Sequence, residues 1–168
     1  MSSGSIHPST RQPAAPGERL LQRWRQLARF PGGRWLFNRL LAWYVPYSGT
    51  IAPQILAFEP GHARIALRDR AQVRNHLNSI HAIALANLGE LTSGLALLAA
   101  LKPGTRGIVV QLGIEYFKKA RGTLIAETHC TAPEATADDI EHLVIADIFD
   151  STGEKVARTS VRWRIGPA

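Results

Sequence analysis

The first third of the chain carries apolar residues at helical spacing. Over residues 18–30 they recur every three to four positions, at Leu20, Leu21, Trp24 and Leu27. Arginines occupy much of the space between them, as on the polar face of an amphipathic helix. The motif Pro31-Gly32-Gly33 breaks the pattern, which resumes in the run RWLFNRLLAWYV and stops at Pro46. Residues 18–45 are therefore predicted to form two short, basic amphipathic helices.

Beyond Thr50 the apolar residues alternate with other residues, which is the period of β-strands. The runs TIAPQILAFE and HARIALRD flank a Pro60-Gly61 turn and predict a β-hairpin with one buried face. Four more strand-like runs come later, RGIVVQLGIEYFK, GTLIAETHCT, HLVIADIFD and KVARTSVRWRI. The turn sequence Asp150-Ser151-Thr152-Gly153 joins the last two. We predict that these four strands form an antiparallel meander.

The segment IHAIALANLGELTSGLALLAALK lies between the hairpin and the later strands and is predicted to be one long helix. It lacks proline, follows a candidate capping residue at Ser79 and ends at Pro103-Gly104. Because it is apolar nearly all round, it should be buried on most sides. No β-α-β alternation is present, which argues against a parallel sheet. The predicted fold class is α+β, with an antiparallel sheet of about six strands wrapped round a central helix.

Length and composition suit one domain with a substantial core. The chain has 168 residues, of which 1–17 are rich in Ser, Pro and Gly and predict a disordered tail, while 46–168 form the main domain. The lone Cys130 cannot form an internal disulfide. No apolar run approaches the roughly 18–20 residues of a membrane span, and no secretory signal is recognisable. We therefore expect a cytoplasmic protein.

The formal net charge of +7 favours a polyanionic partner. Six arginines fall within the predicted N-terminal helices, at Arg19, Arg23, Arg25, Arg29, Arg34 and Arg39. These helices could pack on the sheet as a lid, contact another protein or cover a sheet edge. They could also lie on an anionic membrane through residues 18–44, using Trp24, Trp35, Leu40 and Trp43. No nucleic-acid reader motif accompanies the charge, so we expect no nucleic-acid partner.

Two polar residues stand out in the long apolar helix. The carboxylate of Glu90 lies among Ala, Leu and Gly, where burial is costly unless the group is used. His81 lies at the helix start, about 13.5 Å along the axis and half a turn away in direction. If both act in one site, they must come from two chains, as in a two-fold dimer with two composite sites. The alternatives are a structural carboxylate at an interface and a histidine that caps the helix.

The order of elements and the pattern N-x5-H-x8-E, formed by Asn75, His81 and Glu90, resemble hotdog-fold acyl-CoA thioesterases. The thioesterases that it resembles are the phenylacetate-degradation and 4-hydroxybenzoyl-CoA types. A closer resemblance is to an uncharacterised hotdog family known as a domain of unknown function. It covers about residues 50–165. It implies a hotdog fold, hydrolysis of an acyl thioester of CoA or acyl carrier protein, no cofactor, and a homodimer or a dimer of dimers.

The resemblance also implies roles for individual residues. The backbone N–H of Ala82 and the helix dipole would stabilise the oxyanion, while Asn75 and His81 place the thioester. Glu90 of the partner chain would attack the carbonyl or activate a water. The CoA phosphates would meet basic residues after the first strand of the meander, the candidates being Lys118, Lys119 and Arg121.

The chain departs from the thioesterase pattern at two places. His81-Ala82-Ile83 stands in place of the usual His-Gly-Gly. The backbone N–H of Ala82 is kept, but the added side chains leave less room for a substrate to approach the backbone. Gly94 stands where many relatives carry Ser or Thr, and Thr92 and Ser93 are the neighbours that would have to substitute. These departures keep open a second function, a non-catalytic module that binds acyl thioesters. The His and Asp/Glu spacing of the hydratases on this fold is absent.

The remaining histidines predict no metal site. His62, His76, His129 and His142 are scattered along the chain, and only His76 and His81 are close in sequence.

Overall fold

The computed structural model describes residues 15, 17–134 and 137–168. Its helices are α1 (Glu18–Leu27), α2 (Gly33–Tyr44), the single turn α3 (Pro46–Gly49) and α4 (Ala82–Ala100), with a 3-10 turn at Ala71–Val73. Its strands are β1 (Gln54–Glu59), β2 (His62–Leu67), β3 (Thr105–Tyr116), β4 (Leu124–His129), β5 (Ile140–Phe149) and β6 (Lys155–Pro167). The two N-terminal helices, the hairpin, the long helix and the four later strands are all confirmed.

The six strands form one antiparallel sheet in the order β1-β2-β4-β5-β6-β3. The predicted four-stranded meander is therefore wrong in part. Only β4, β5 and β6 follow one another, while β3 pairs with β6 at the far edge and β4 pairs with β2. Alternation along a strand specifies which residues are buried but not which strand lies beside it. The neighbour of β3 depends on where the chain leaves α4, which is at the edge of the sheet beside β6.

The long helix α4 is the centre of the fold. It contacts all six strands, so the sheet wraps round it as the hotdog arrangement requires. A side chain at Gly89 would place Cβ 2.0 Å from Thr159 Oγ1 on β6, so this close approach requires glycine. By length and composition α4 could cross a membrane, contrary to our expectation that no segment could. Its burial inside the sheet identifies it as the core helix.

The N-terminal helices pack into the same core as α4 and the sheet. Phe37 of α2 lies edge-on to Trp24 of α1, with 5.1 Å between ring centroids, and 6.4 Å from Phe58 of β1. The Ile55 N–H donates to Asn38 Oδ1 at 3.0 Å and ties α2 to β1. Residues 18–45 are thus part of the folded unit.

The predicted disordered tail 1–17 is ordered at its last residue. The Gly17 N–H donates to the Leu98 carbonyl of α4 at 3.1 Å, and Gly17 is buried. Residues 1–14 and 16 lie outside the described residues.

Candidate active site

A tight loop at residues 75–79 precedes α4. The Asn75 side-chain oxygen accepts from the N–H groups of Leu77, at 2.9 Å, and Ser79, at 3.2 Å. The Ser79 hydroxyl donates to the Ala120 carbonyl at 3.0 Å, so Ser79 is not the helix cap that we predicted. Asn75 shapes the loop, as asparagine commonly does in turns. Its contacts in one chain are structural.

His81 is the N-cap of α4. Its Nδ1 accepts from the Ile83 N–H at 3.1 Å, which satisfies one of the unpaired donors of the first turn. Because Nδ1 accepts in this geometry, the ring proton of neutral His81 is assigned to Nε2. The ring is exposed, so this N–H can donate to a ligand.

The Ala82 N–H is the free donor of the helix tip, with no acceptor among the described residues. Its carbonyl accepts from the Tyr116 hydroxyl of β3 at 3.1 Å, which fixes the tip against the sheet. Burial raises the pKa of Tyr116, which keeps the phenol neutral and able to donate. The tip therefore offers a backbone donor at the positive end of a helix dipole.

Glu90 lies on the wall of a large, mostly apolar cavity between α4 and the N-terminal helices, which Arg19 and Arg23 also line. The cavity volume is about 620 Å³, within the range of small-molecule sites. Its apolar lining includes Leu41, Phe37, Phe58, Leu91, Leu95, Leu98 and Trp163. No hydrogen bond or ion pair to the Glu90 side chain occurs within the described parts of the chain, and burial raises its pKa. An unpaired carboxylate in an apolar cavity is typical of a functional group.

Trp163 is a cavity residue that the sequence did not reveal, because it reads simply as an apolar position of an alternating strand. Its indole Nε1 is buried and has no hydrogen-bond partner among the described residues. A Cβ on Gly94 would come within 3.2–3.3 Å of the indole ring. Gly94 thus gives the ring its space, which is a physical reason for the missing Ser or Thr.

The hydroxyl groups that were expected to replace that residue are engaged elsewhere. Thr92 Oγ1 donates to the Leu88 carbonyl at 2.7 Å, and Ser93 Oγ donates to the backbone carbonyl of Glu90 at 2.8 Å. Neither hydrogen-bonds to the Glu90 carboxylate. The expectation that Thr92 or Ser93 supports this carboxylate is therefore not met within one chain.

His81 and Glu90 do not share a pocket. His81 lines a separate shallow depression of about 210 Å³, together with Tyr47, Arg74 and Asn87. Glu90 lines the large cavity further along the helix. The structure of one chain therefore keeps the two groups apart, as their spacing of nine positions implies.

The basic cluster after β3 is only partly free. The Lys118 ammonium pairs with Asp150, at 2.7 Å, and with Glu154, so a CoA phosphate would compete with these two carboxylates for it. The Arg121 Nε donates to the Asn78 carbonyl at 3.2 Å. Lys119 is exposed.

The described histidines are not all scattered. His62 and His129 stack with 4.1 Å between ring centroids, because β2 and β4 are neighbours in the sheet. Their separation in the sequence therefore does not exclude a metal site that contains both histidines.

An antiparallel sheet wrapped round a long, buried helix with a polar tip defines a hotdog-fold protein. Residues 33–165 match the family described as "Domain of unknown function (DUF4442)", and the chain belongs to this family. No curated protein matches the chain.

Several solved structures have the same fold. A structural-genomics target is 26% identical, with a TM-score of 0.77 over 90% of this chain and 98% of that chain. A Pseudomonas aeruginosa protein of unknown function, described as a probable thioesterase, is 20% identical, with a TM-score of 0.64 over 94% and 99%. A hypothetical thioesterase from Streptococcus pneumoniae, solved with coenzyme A, is 18% identical, with a TM-score of 0.62 over 75% and 97%.

Proposed function

We propose that the protein is a thioester hydrolase that acts on acyl-CoA or on an acyl carrier protein thioester. The observation that carries this proposal is Glu90, an unpaired carboxylate on the wall of an apolar cavity. The cavity suits an acyl chain, and the carboxylate suits attack on its carbonyl or activation of water. The coenzyme A bound by the Streptococcus pneumoniae hotdog protein supports the choice of substrate class.

The proposed site is composite and needs a second copy of the chain. Strand β3 is an edge of the sheet, and its exposed apolar residues include Ile108, Val110 and Leu112. A long apolar edge of this kind is rare in monomers because it invites pairing with another strand. A two-fold partner at this edge would bring the α4 tip of one protomer towards Glu90 of the other.

In this site the thioester carbonyl accepts from the Ala82 N–H of one protomer, and the Nε2–H of His81 donates to the substrate. These donors stabilise the negative charge that develops on the carbonyl oxygen. Glu90 of the partner takes a proton from water as the water attacks, or attacks the carbonyl itself. When water attacks, the C–S bond breaks, the thiolate takes up the proton that Glu90 removed, and the carboxylic acid and CoA thiol leave. When Glu90 attacks instead, breaking the C–S bond releases the thiolate and leaves a mixed anhydride with Glu90, which a water molecule then hydrolyses to release the acid. Lys118, Lys119 and Arg121 are the candidates for the CoA phosphates.

A thiol-release assay with short, long and aromatic acyl-CoA thioesters tests the proposal. We expect turnover of at least one class, with free thiol and free acid produced in equal amounts.

The second candidate function is a module that binds acyl thioesters without hydrolysis. Gly94 and the engaged hydroxyls of Thr92 and Ser93 favour it, because Glu90 then lacks a hydroxyl partner on its own helix. Saturable binding without thiol release would select that candidate.

The cavity predicts how chain-length preference responds to mutation. A Gly94→Leu variant should crowd the Trp163 ring and reduce the cavity that both residues line, so the ratio of kcat/KM for long to short acyl-CoA should fall by about tenfold or more. Gly94→Ala is the matched control, since it adds one methyl group and should shift the ratio less. An unchanged ratio in a folded Gly94→Leu protein would mean that the acyl chain lies elsewhere.

The N-terminal helices form one side of the cavity, which supports their role as a lid. Their exposed aromatic residues favour contact with an anionic membrane, since Phe30 is 68%, Trp35 67% and Trp43 80% exposed among the six arginines, and Trp43 also borders the cavity. Trp24, which we had included in this surface, is buried and cannot take part.

Liposome pelleting tests the membrane contact. We expect the protein to sediment with vesicles that contain phosphatidylserine, and a Trp35→Ala/Trp43→Ala variant to lose most of this binding. Vesicles of phosphatidylcholine alone are the control for charge. Equal sedimentation of wild type and variant would exclude the aromatic residues as the contact.

A further inference from the structure

The outer face of the sheet carries a cluster of two histidines and one glutamate, none of which lines the cavity. In the β2–β4 pairing, His62 lies directly opposite His129, and Arg64 lies opposite Glu127. Ala63, which lies between His62 and Arg64, and Ile65, which follows Arg64, are fully buried. Because side chains alternate across a strand, the cluster must point to the face opposite α4.

The donor atoms of this cluster already lie close together. Glu127 Oε1 is 2.8 Å from His62 Nε2 and 3.7 Å from His129 Nε2, and all three ligand atoms lie within 4.8 Å of one another. A tetrahedral ion with bonds of about 2.0–2.1 Å holds its donors roughly 3.3 Å apart. The two distances from Glu127 Oε1 bracket this value. Small rotations of the two stacked rings would allow His62 Nε2 and His129 Nε2 to bind the same ion.

The second oxygen of Glu127 faces a different partner. Arg64 Nε is 3.7 Å from Oε2, so the guanidinium orients the carboxylate and leaves Oε1 turned towards the histidines. Other charges flank the cluster. Glu59 is opposite His62 on β1, and Asp147 is opposite Glu127 on β5. Asp147 is held by Arg158 and Lys155, while Glu59 adds negative charge that offsets Arg64.

We propose that His62, Glu127 and His129 bind a divalent transition-metal ion, with Zn²⁺ as the best fit to two imidazoles and one carboxylate. Three protein ligands leave a fourth position for water. The ligands come from two neighbouring strands, so the ion would clamp the end of the β1–β2 hairpin to β4. Its place on the opposite face from the cavity makes it a stabilising ion, independent of the proposed hydrolysis.

Isothermal titration of the metal-free, untagged protein with Zn²⁺ tests the site, with Ni²⁺ as a second probe. We expect one ion per chain. At Zn²⁺ about 100 times the dissociation constant, the Tm should rise by about 5–10 °C. His129→Ala and Glu127→Gln should each weaken binding at least tenfold and remove most of the Tm shift. His129 is exposed, so its loss should leave the fold intact.

His76→Ala is the matched control, because His76 is an exposed histidine on a loop outside the cluster. This variant should bind Zn²⁺ as the wild type does. Failure of the wild type to bind Zn²⁺ or Ni²⁺, or equal binding by His129→Ala and wild type, would overturn the proposal. Circular dichroism of each variant without metal separates loss of a ligand from loss of the fold.

Discussion

A Glu90→Gln variant should lose turnover by about 10²–10⁴-fold while it remains folded and keeps the oligomeric state of the wild type. The amide has nearly the same shape as the carboxylate, but it can neither accept the proton of the attacking water nor act as a nucleophile. The measurement is kcat/KM with the best thioester of the panel, alongside size-exclusion chromatography. Full activity of this variant would remove Glu90 from the mechanism.

The same variant should be more stable than the wild type at neutral and alkaline pH. Burial raises the pKa of Glu90, so the folded state binds its proton more tightly than the unfolded chain does. Below the ordinary glutamate pKa of about 4.3 both states are protonated and there is no penalty. As pH rises from there through the raised pKa, the wild type loses stability, and above it the loss is constant. The Tm difference in favour of Glu90→Gln should therefore grow with pH and then level off.

Glu134→Gln is the control for this experiment, because Glu134 is exposed and outside the proposed site. It removes the same charge and should change neither turnover nor the pH dependence of the Tm difference. For the wild type, kcat/KM should fall on the acid side with a midpoint above the ordinary glutamate pKa, since the ionised form reacts. A midpoint at or below that ordinary pKa would contradict the buried, unpaired Glu90 of the structure.

Ala82→Pro should abolish most activity by removing one backbone donor, with an expected loss of about 10²–10³-fold in kcat. Ala82 is the first residue of α4, where proline is well tolerated, and its N–H has no partner among the described residues. The preceding His81 has φ −64° and ψ 140°, an extended conformation that proline accepts in its neighbour. Ala82→Gly, which retains the N–H, is the matched control and should stay active.

Mixing the two inactive variants tests whether the site is shared between chains. In a heterodimer of Glu90→Gln and Ala82→Pro, one composite site has both defects and the other has none. Random exchange of protomers should therefore restore about a quarter of the wild-type activity. If protomers exchange, as shown by mass spectrometry, and no activity returns, the tip and the acid do not act across an interface.

The sequence by itself determined the elements, the central helix and the two groups of interest. Periods of 3.6 and 2 are local properties, so they located α1, α2, α4 and all six strands. The isolation of Glu90 among apolar residues also pointed to its role, because an ionisable group in such a segment is costly wherever the segment is buried. The separation of His81 and Glu90 along the helix also follows from the sequence, because it depends only on the number of residues between them and the rise per residue.

Only the tertiary structure decided which distant residues are neighbours. The order of the strands placed β3 at an edge and β4 beside β2, which the alternation of side chains could not specify. That order stacked His62 on His129, left Trp163 over Gly94 and paired Lys118 with Asp150 and Glu154. The physical reason is that these contacts join residues far apart in sequence, so they depend on how the whole chain closes round α4.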